Sequence, residues 1–184
     1  MQSSFTDNEL AEQAMQGRTE AFSILVERYR QKVFRTAMGF LHNADDAEDL
    51  TQEIFIKAWH ALRSFNRKSA FSTWLYRISV NKAINQTRKN KLKALAGIND
   101  EVNNTRDNES ADDTITRKEQ KEEIKNAINK LNNKQKKAFV LFYYQELSMK
   151  EVADVLKMSK KAAESLVFRA RQNLQKELSG KNNR

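Results

Sequence analysis

Asp45, Asp49 and Glu53 stand four residues apart in the stretch DDAEDLTQEIFIKAW, residues 45 to 59. On a helix that spacing brings them to one face, where they could do three different things. Convergent carboxylates can ligate a divalent cation, but helical sites of that kind draw on a second carboxylate helix and a Glu-x-x-His pair, and neither stands out here. Acids in a first turn also stabilise a helix through its dipole, which accounts for Asp45, Asp46 and Glu48, with Asp45 or Asp46 expected as the N-cap. The third use is docking. Ala47, Leu50, Ile54, Phe55, Ala58 and Leu62 form an apolar side, which leaves Asp45, Asp49, Gln52, Glu53 and Ile56 opposite. An isoleucine ringed by acids suits a surface that meets a basic protein, whereas capping has no need of Asp49, Gln52, Glu53 and Ile56 as a set.

Two basic constellations follow. Arg67, Lys68, Arg77, Lys82, Arg88, Lys89, Lys91 and Lys93 lie among Phe65, Phe71, Trp74 and Tyr76. Aromatic faces on which bases rest, beside cations that follow a backbone, are what a single nucleic-acid strand requires. The competing use is packing, with Trp74, Leu75 and Ile78 assigned to a core. Near the C-terminus, SMKEVADVLK precedes SKKAAESLVFRARQNLQKEL after a connection that admits only a tight turn. Ala163, Val167, Ala170 and Leu174 form one stripe of the longer helix, so Lys161, Ser165, Phe168, Arg169 and Gln172 point the other way. A short helix, a turn and a basic-faced longer helix is the layout that enters a DNA major groove; a helical hairpin with a solvated face has the same pattern.

Several classes are excluded by composition. No cysteine is present, which removes disulfides and thiol nucleophiles, and His42 and His60 are the only imidazoles. No glycine-rich phosphate loop or nucleophile elbow occurs, so no enzyme, cofactor or metal is expected. Proline is absent and there are four glycines in 184 residues, a composition that favours an all-α chain. The net charge is +9. Because residues 97 to 116 hold six acids and one arginine, the rest is more basic still, and a polyanionic partner is expected, nucleic acid before a membrane surface. No stretch approaches the ~18 apolar residues of a membrane span. The start MQSSFTDNEL lacks the basic and apolar regions of a secretory signal, so a cytoplasmic location is expected.

The acidic, turn-rich stretch 97 to 116 separates two helical halves. Before it, helices are expected over DNELAEQAMQG with a Thr6 to Glu9 capping box, over EAFSILVERYRQKVFRTAMGFL, over the acidic stretch, and over STWLYRISVNKAINQTRKNKLK after the loop FNRKSAF. After it, helices are expected over RKEQKEEIKNAINKL, over NNKQKKAFVLFYYQEL with Asn132 and Gln135 as a cap, and over the final pair, whose first member opens with Ser148 and Glu151 at capping-box spacing. The fold class expected is therefore all-α, with two helical domains, 1–95 and 117–184, joined by a flexible linker, 96–116. The tail SGKNNR is expected to fray.

In this order the parts resemble the extracytoplasmic-function (ECF) sigma factors of bacterial RNA polymerase. Asp49, Leu50, Gln52, Glu53, Phe55 and Trp59 match the family's core-polymerase-binding helix; Trp74, Leu75, Ile78, Asn81 and Arg88 match its promoter-melting segment. Glu151, Val152, Ala153, Leu156, Ser159, Ser165, Arg169, Ala170 and Arg171 match its terminal helix-turn-helix. The chain departs from the family pattern at Asn132, Lys161, Asn85 and Leu166, where Pro, Gly, Asp and Arg are common. The resemblance implies that Asp45, Asp49, Gln52, Glu53 and Ile56 dock on core RNA polymerase. It implies that Phe65, Asn66, Arg67, Lys68, Ser69, Phe71, Trp74, Tyr76, Arg77, Asn81 and Arg88 meet melted promoter DNA. Ser159, Lys160, Lys161, Glu164, Ser165, Phe168, Arg169, Arg171 and Gln172 would read the upstream duplex. The linker would run toward the RNA exit path or serve as a plain tether. A restraining anti-sigma factor is a common partner in the family. A stand-alone helix-turn-helix regulator is the alternative, and it would need neither the acid helix nor the basic aromatic loop.

Overall fold

A computed structural model describes residues 5–97 and 111–179, and all of its regular structure is helical. The first half holds α1 (Asp7–Met15), α2 (Thr19–Leu41), α3 (Ala44–Ala61) and α4 (Phe71–Leu95), with a 3-10 turn at Leu62–Ser64. The second holds α5 (Ala111–Lys130), α6 (Asn133–Phe139), a π-helical turn (Val140–Tyr144), α7 (Met149–Leu156) and α8 (Lys160–Ser179). The all-α expectation is met. Residues 98–110, most of the expected linker, and residues 180–184, most of the tail, lie outside the described residues.

Local chemistry sets most of the helix starts. The Thr6 hydroxyl accepts from the Glu9 amide at 3.3 Å, and the Thr6 amide donates to Glu9 Oε2 at 2.7 Å, closing the capping box of α1. Ser148 and Glu151 do the same for α7, and Asn132 Oδ1 accepts from the Gln135 amide at 3.0 Å to start α6. Two starts differ from expectation. The N-cap of α3 is Asn43, whose Oδ1 accepts from the Asp46 amide at 2.9 Å, so Asp45 and Asp46 sit inside the first turn and act through the dipole alone. Helix α5 begins at Ala111, inside the stretch expected as linker.

The turn between α7 and α8 lacks glycine, and Lys157 takes the left-handed conformation there, φ 55°, while the Met158 amide donates to the Ala153 carbonyl at 3.0 Å. This closes a Schellman-type end with a residue that costs about 1 kcal/mol more than glycine in that conformation.

A single apolar core runs through both halves. Leu10, Leu25, Phe40, Ile54, Phe71 and Leu75 from the first half join Val140, Leu141 and Val152 from the second, all nearly inaccessible to solvent. Each such side chain contributes roughly 1.5–3 kcal/mol on burial. Helix α7 and the π turn lie against α4 and α2, while α5 and α6 pack on α8.

Candidate functional site

The apolar residues of α3 do what their periodicity requires. Ala47, Leu50, Ile54, Phe55, Ala58 and Leu62 are all buried, and the opposite face is left to solvent. Asp45, Asp49, Gln52 and Glu53 are exposed, and Ile56 is 58% exposed among them. Glu53 pairs with Lys82 of α4 at 2.7 Å. Asp49 has no ion-pair partner among the described residues, so its charge is open to an incoming cation. Among the described residues no three His, Asp or Glu side chains gather to hold a metal.

The loop before α4 divides into inner and outer parts. Phe65, Phe71 and Tyr76 were expected to offer faces to bases, but their exposures are 3%, 0% and 4%. They are core. Phe65 meets Phe71 edge-on at 5.8 Å and Trp74 at 5.5 Å, and Phe71 meets Tyr29 at 5.7 Å. The cluster buries each ring more effectively than an exposed loop could, and burial raises the Tyr76 hydroxyl to about 12. The Tyr29 hydroxyl is likewise raised by burial and by its hydrogen bond to Asp7. Asn66, Arg67, Lys68, Asn81 and Arg88 are exposed, and Ser69, Trp74 and Arg77 half-exposed, so eight of the eleven residues expected to meet melted DNA lie at the surface.

Helix α1 holds that loop, a role no sequence motif marks. Asn8 Oδ1 accepts the Phe71 amide at 2.9 Å, at the start of α4, whose own N-cap Ala70 has no side chain to do so. Arg67, at φ 58°, donates to Glu12 at 2.8 Å. Asn8→Ala would leave the Phe71 amide without its partner. It is expected to cost about 1–2 kcal/mol and to lower the thermal midpoint by several degrees, read by circular dichroism melting.

Helix α8 presents a third surface. Ala163, Val167 and Ala170 are buried, whereas Ser159, Lys160, Lys161, Glu164, Ser165, Arg169, Arg171 and Gln172 are exposed and Phe168 is 61% exposed. All nine residues expected to face duplex DNA are therefore on the solvent side. Leu166, where the family often has Arg, is 9% exposed and joins the core. The Ser159 hydroxyl accepts from the Ala162 amide at 3.2 Å, and the Arg169 guanidinium donates to the Ser165 carbonyl at 3.1 Å, which directs it along the helix.

Polar contacts join the two halves beside these surfaces. Buried Lys136 donates to the Phe40 carbonyl at 3.1 Å and to Asn129 at 2.7 Å, with its ammonium 5.5 Å from the Phe40 ring centre. That carbonyl lies in the last turn of α2, where a cation is favoured. Burial, and then Lys91, lower the Lys136 ammonium to about 8. Burial, and then Lys136 and Lys125, lower His42 to about 4 and leave it uncharged at neutral pH. Gln145 donates to the Lys32 carbonyl at 2.7 Å, and Lys137 to Asn81 Oδ1 at 2.7 Å. Arg77 donates to the Val155 carbonyl at 3.1 Å and to the Asp154 carbonyl.

The arrangement has close counterparts. Residues 25–93 match Sigma-70 region 2, and residues 121–174 match Sigma-70 region 4. The chain is 31% identical to the ECF RNA polymerase sigma factor SigW of Bacillus subtilis over 174 residues, covering 90% of this chain and 93% of that one. Among solved structures it is similar to CnrH in complex with the cytosolic domain of CnrY, with TM-score 0.70, 29% identity and coverage of 95% and 97%. It is also similar to the sigma factor RpoE in complex with the anti-sigma factor NepR from Bartonella quintana, with TM-score 0.60, 26% identity and coverage of 86% and 96%. With Sigma-70 regions 2 and 4 matched in that order and a relative of this kind aligned over most of both chains, the chain belongs to the ECF sigma factors of bacterial RNA polymerase.

Proposed function

We propose that this alternative sigma factor divides its work among three faces: α3 docks on core polymerase, the loop before α4 and the outer side of α4 hold melted promoter DNA, and α8 reads the upstream duplex. The single observation that carries this is the exposed set Asp49, Gln52, Glu53 and Ile56, on a chain that is otherwise strongly basic. A regulator that meets only DNA has no use for an acidic face with an isoleucine in it. The melted-strand contacts are Asn66, Arg67, Lys68, Ser69, Trp74, Arg77, Asn81 and Arg88. Trp74 supplies the partly exposed ring and the buried aromatics stiffen the loop behind it. Residues 1–95 act as one unit and those from Ala111 onward as the other, joined by the acid-rich residues between them.

The chain contributes binding free energy to initiation and no chemistry of its own; the polymerase makes the bonds. It acts in the cytoplasm, and no described helix is long and apolar enough to cross a membrane. An anti-sigma partner, of the kind bound to the RpoE relative, would cover the α3 face or the basic surfaces. The test is transcription in vitro by core polymerase, with and without this chain, on fragments of the source genome. New start sites that depend on the chain are expected. Duplex binding with no dependence of transcription on the chain would identify a stand-alone regulator instead.

A further inference from the structure

We infer that the C-terminal end of α4 is a lipid-contacting tip, which seats the chain on an anionic membrane surface without crossing it. Leu92 and Leu95 are 68% and 85% exposed, the two most exposed large apolar side chains among the described residues. Three residues apart, they share one side of the helix. From Asn85 to Leu95 no residue of α4 is buried, so neither leucine is a fringe of the core. Arg88, Lys89, Lys91 and Lys93 stand around them, all exposed. Between Glu53 and Asp100 the sequence holds no carboxylate side chain, so nothing on α4 offsets those charges. On the neighbouring α5, whose Asn129 carbonyl accepts from Lys91 at 3.5 Å, Glu122 is already paired with Lys125 at 3.0 Å.

The leucines decide what the cations meet. A duplex backbone accounts for the cations alone. An acidic peptide that buried its own apolar side chains would need a groove, and a leucine 85% exposed stands proud of the surface and lines none. A bilayer interface needs no groove. It takes leucines into the boundary between headgroups and acyl chains, while anionic headgroups meet the lysines beside them. No described helix is long and apolar enough to cross a membrane, so the contact is peripheral.

The test uses the full chain and vesicles of phosphatidylcholine alone, or of equal parts phosphatidylcholine and phosphatidylglycerol, separated by sedimentation at moderate salt. Partitioning at least ~10-fold stronger onto the anionic vesicles is expected. Leu92→Ser with Leu95→Ser should weaken it about tenfold, and Lys89→Ala with Lys93→Ala roughly 25-fold, at about fivefold for each cation near a charged surface. Lys161→Ala with Arg169→Ala removes the same charge from α8 and should change partitioning less than about twofold, because exposed charges more than a Debye length away are screened. None of the four tip residues is buried, so their variants should keep the parent's circular dichroism spectrum. The chain has no cysteine, so Leu95→Cys and, on α3, Lys57→Cys can each carry one environment-sensitive dye. Emission at position 95 should rise severalfold with anionic vesicles and at position 57 should not. A parent that binds both vesicles alike, or neither, overturns the membrane contact. A leucine variant that partitions as the parent does, or an equal loss from the α8 pair, reduces binding to net charge and overturns the tip. Weaker binding of a promoter oligonucleotide by the leucine variant, with vesicle binding unchanged, would assign the tip to DNA instead.

Discussion

Asp49→Lys together with Glu53→Lys is expected to abolish co-purification with core RNA polymerase and to leave the circular dichroism spectrum unchanged. Both side chains are exposed on α3, and the helix is anchored from its other side by Leu50, Ile54 and Phe55, so reversal costs little in folding. Glu53 gives up its pair with Lys82, an exposed contact of small worth. At an interface with a basic surface the same reversals replace attraction by repulsion, and loss of at least ~100-fold in affinity follows from charge pairs that contribute a few kcal/mol each. Asp46→Ala provides the contrast. That acid stands in the first turn and outside the docking set, so its removal weakens the helix slightly and should alter binding far less. If the double reversal bound core polymerase as the parent does, the acids of α3 would be solubility and capping alone.

The helices were legible wherever their signals are local. Thr6 with Glu9, Asn132 with Gln135 and Ser148 with Glu151 are three residues apart, and each pair forms the cap its spacing predicts. The α3 and α8 faces were legible because a 3.6-residue period separates buried from exposed residues without knowledge of any neighbour. Phe65, Phe71 and Tyr76 were misread because an aromatic beside a basic residue looks alike in sequence whether its ring faces a base or a core. What decided them was Tyr29, an aromatic from α2 more than thirty residues away, which closes the ring cluster from the inside.

The seam between the halves was less legible still. The run VLFYY has no helical period; it forms a π turn in which Val140 and Leu141 are buried while Tyr144 approaches Gly39 of α2. Gly39 reads in sequence as an ordinary flaw in a helix. Its reason lies about a hundred residues away. Asn8 is similar, since the Phe71 amide it accepts lies 63 residues away, at the start of a helix whose own N-cap Ala70 has no side chain to do so.

Removing the cations of α8 tests the third surface most severely. With Lys161→Ala, Arg169→Ala and Arg171→Ala combined, the full chain is expected to bind upstream promoter duplex about 100-fold more weakly at moderate salt, and to lose most of its salt dependence. Each phosphate neutralised by Lys or Arg releases condensed counterions, so deleting one such cation should flatten the slope of log affinity against log salt by about 0.9. Deleting all three would flatten it by roughly 2.7. All three residues are exposed, and alanine favours helix at each, so α8 should remain folded on Ala163, Val167 and Ala170. Ser165→Ala and Gln172→Ala, on the same face and uncharged, should leave the slope as it was and change instead which duplex sequence is preferred, because an uncharged side chain can read a base edge but neutralises no phosphate. A triple variant whose slope matched the parent's would place the phosphate-binding cations elsewhere on the chain and reduce the α8 face to a solvated one.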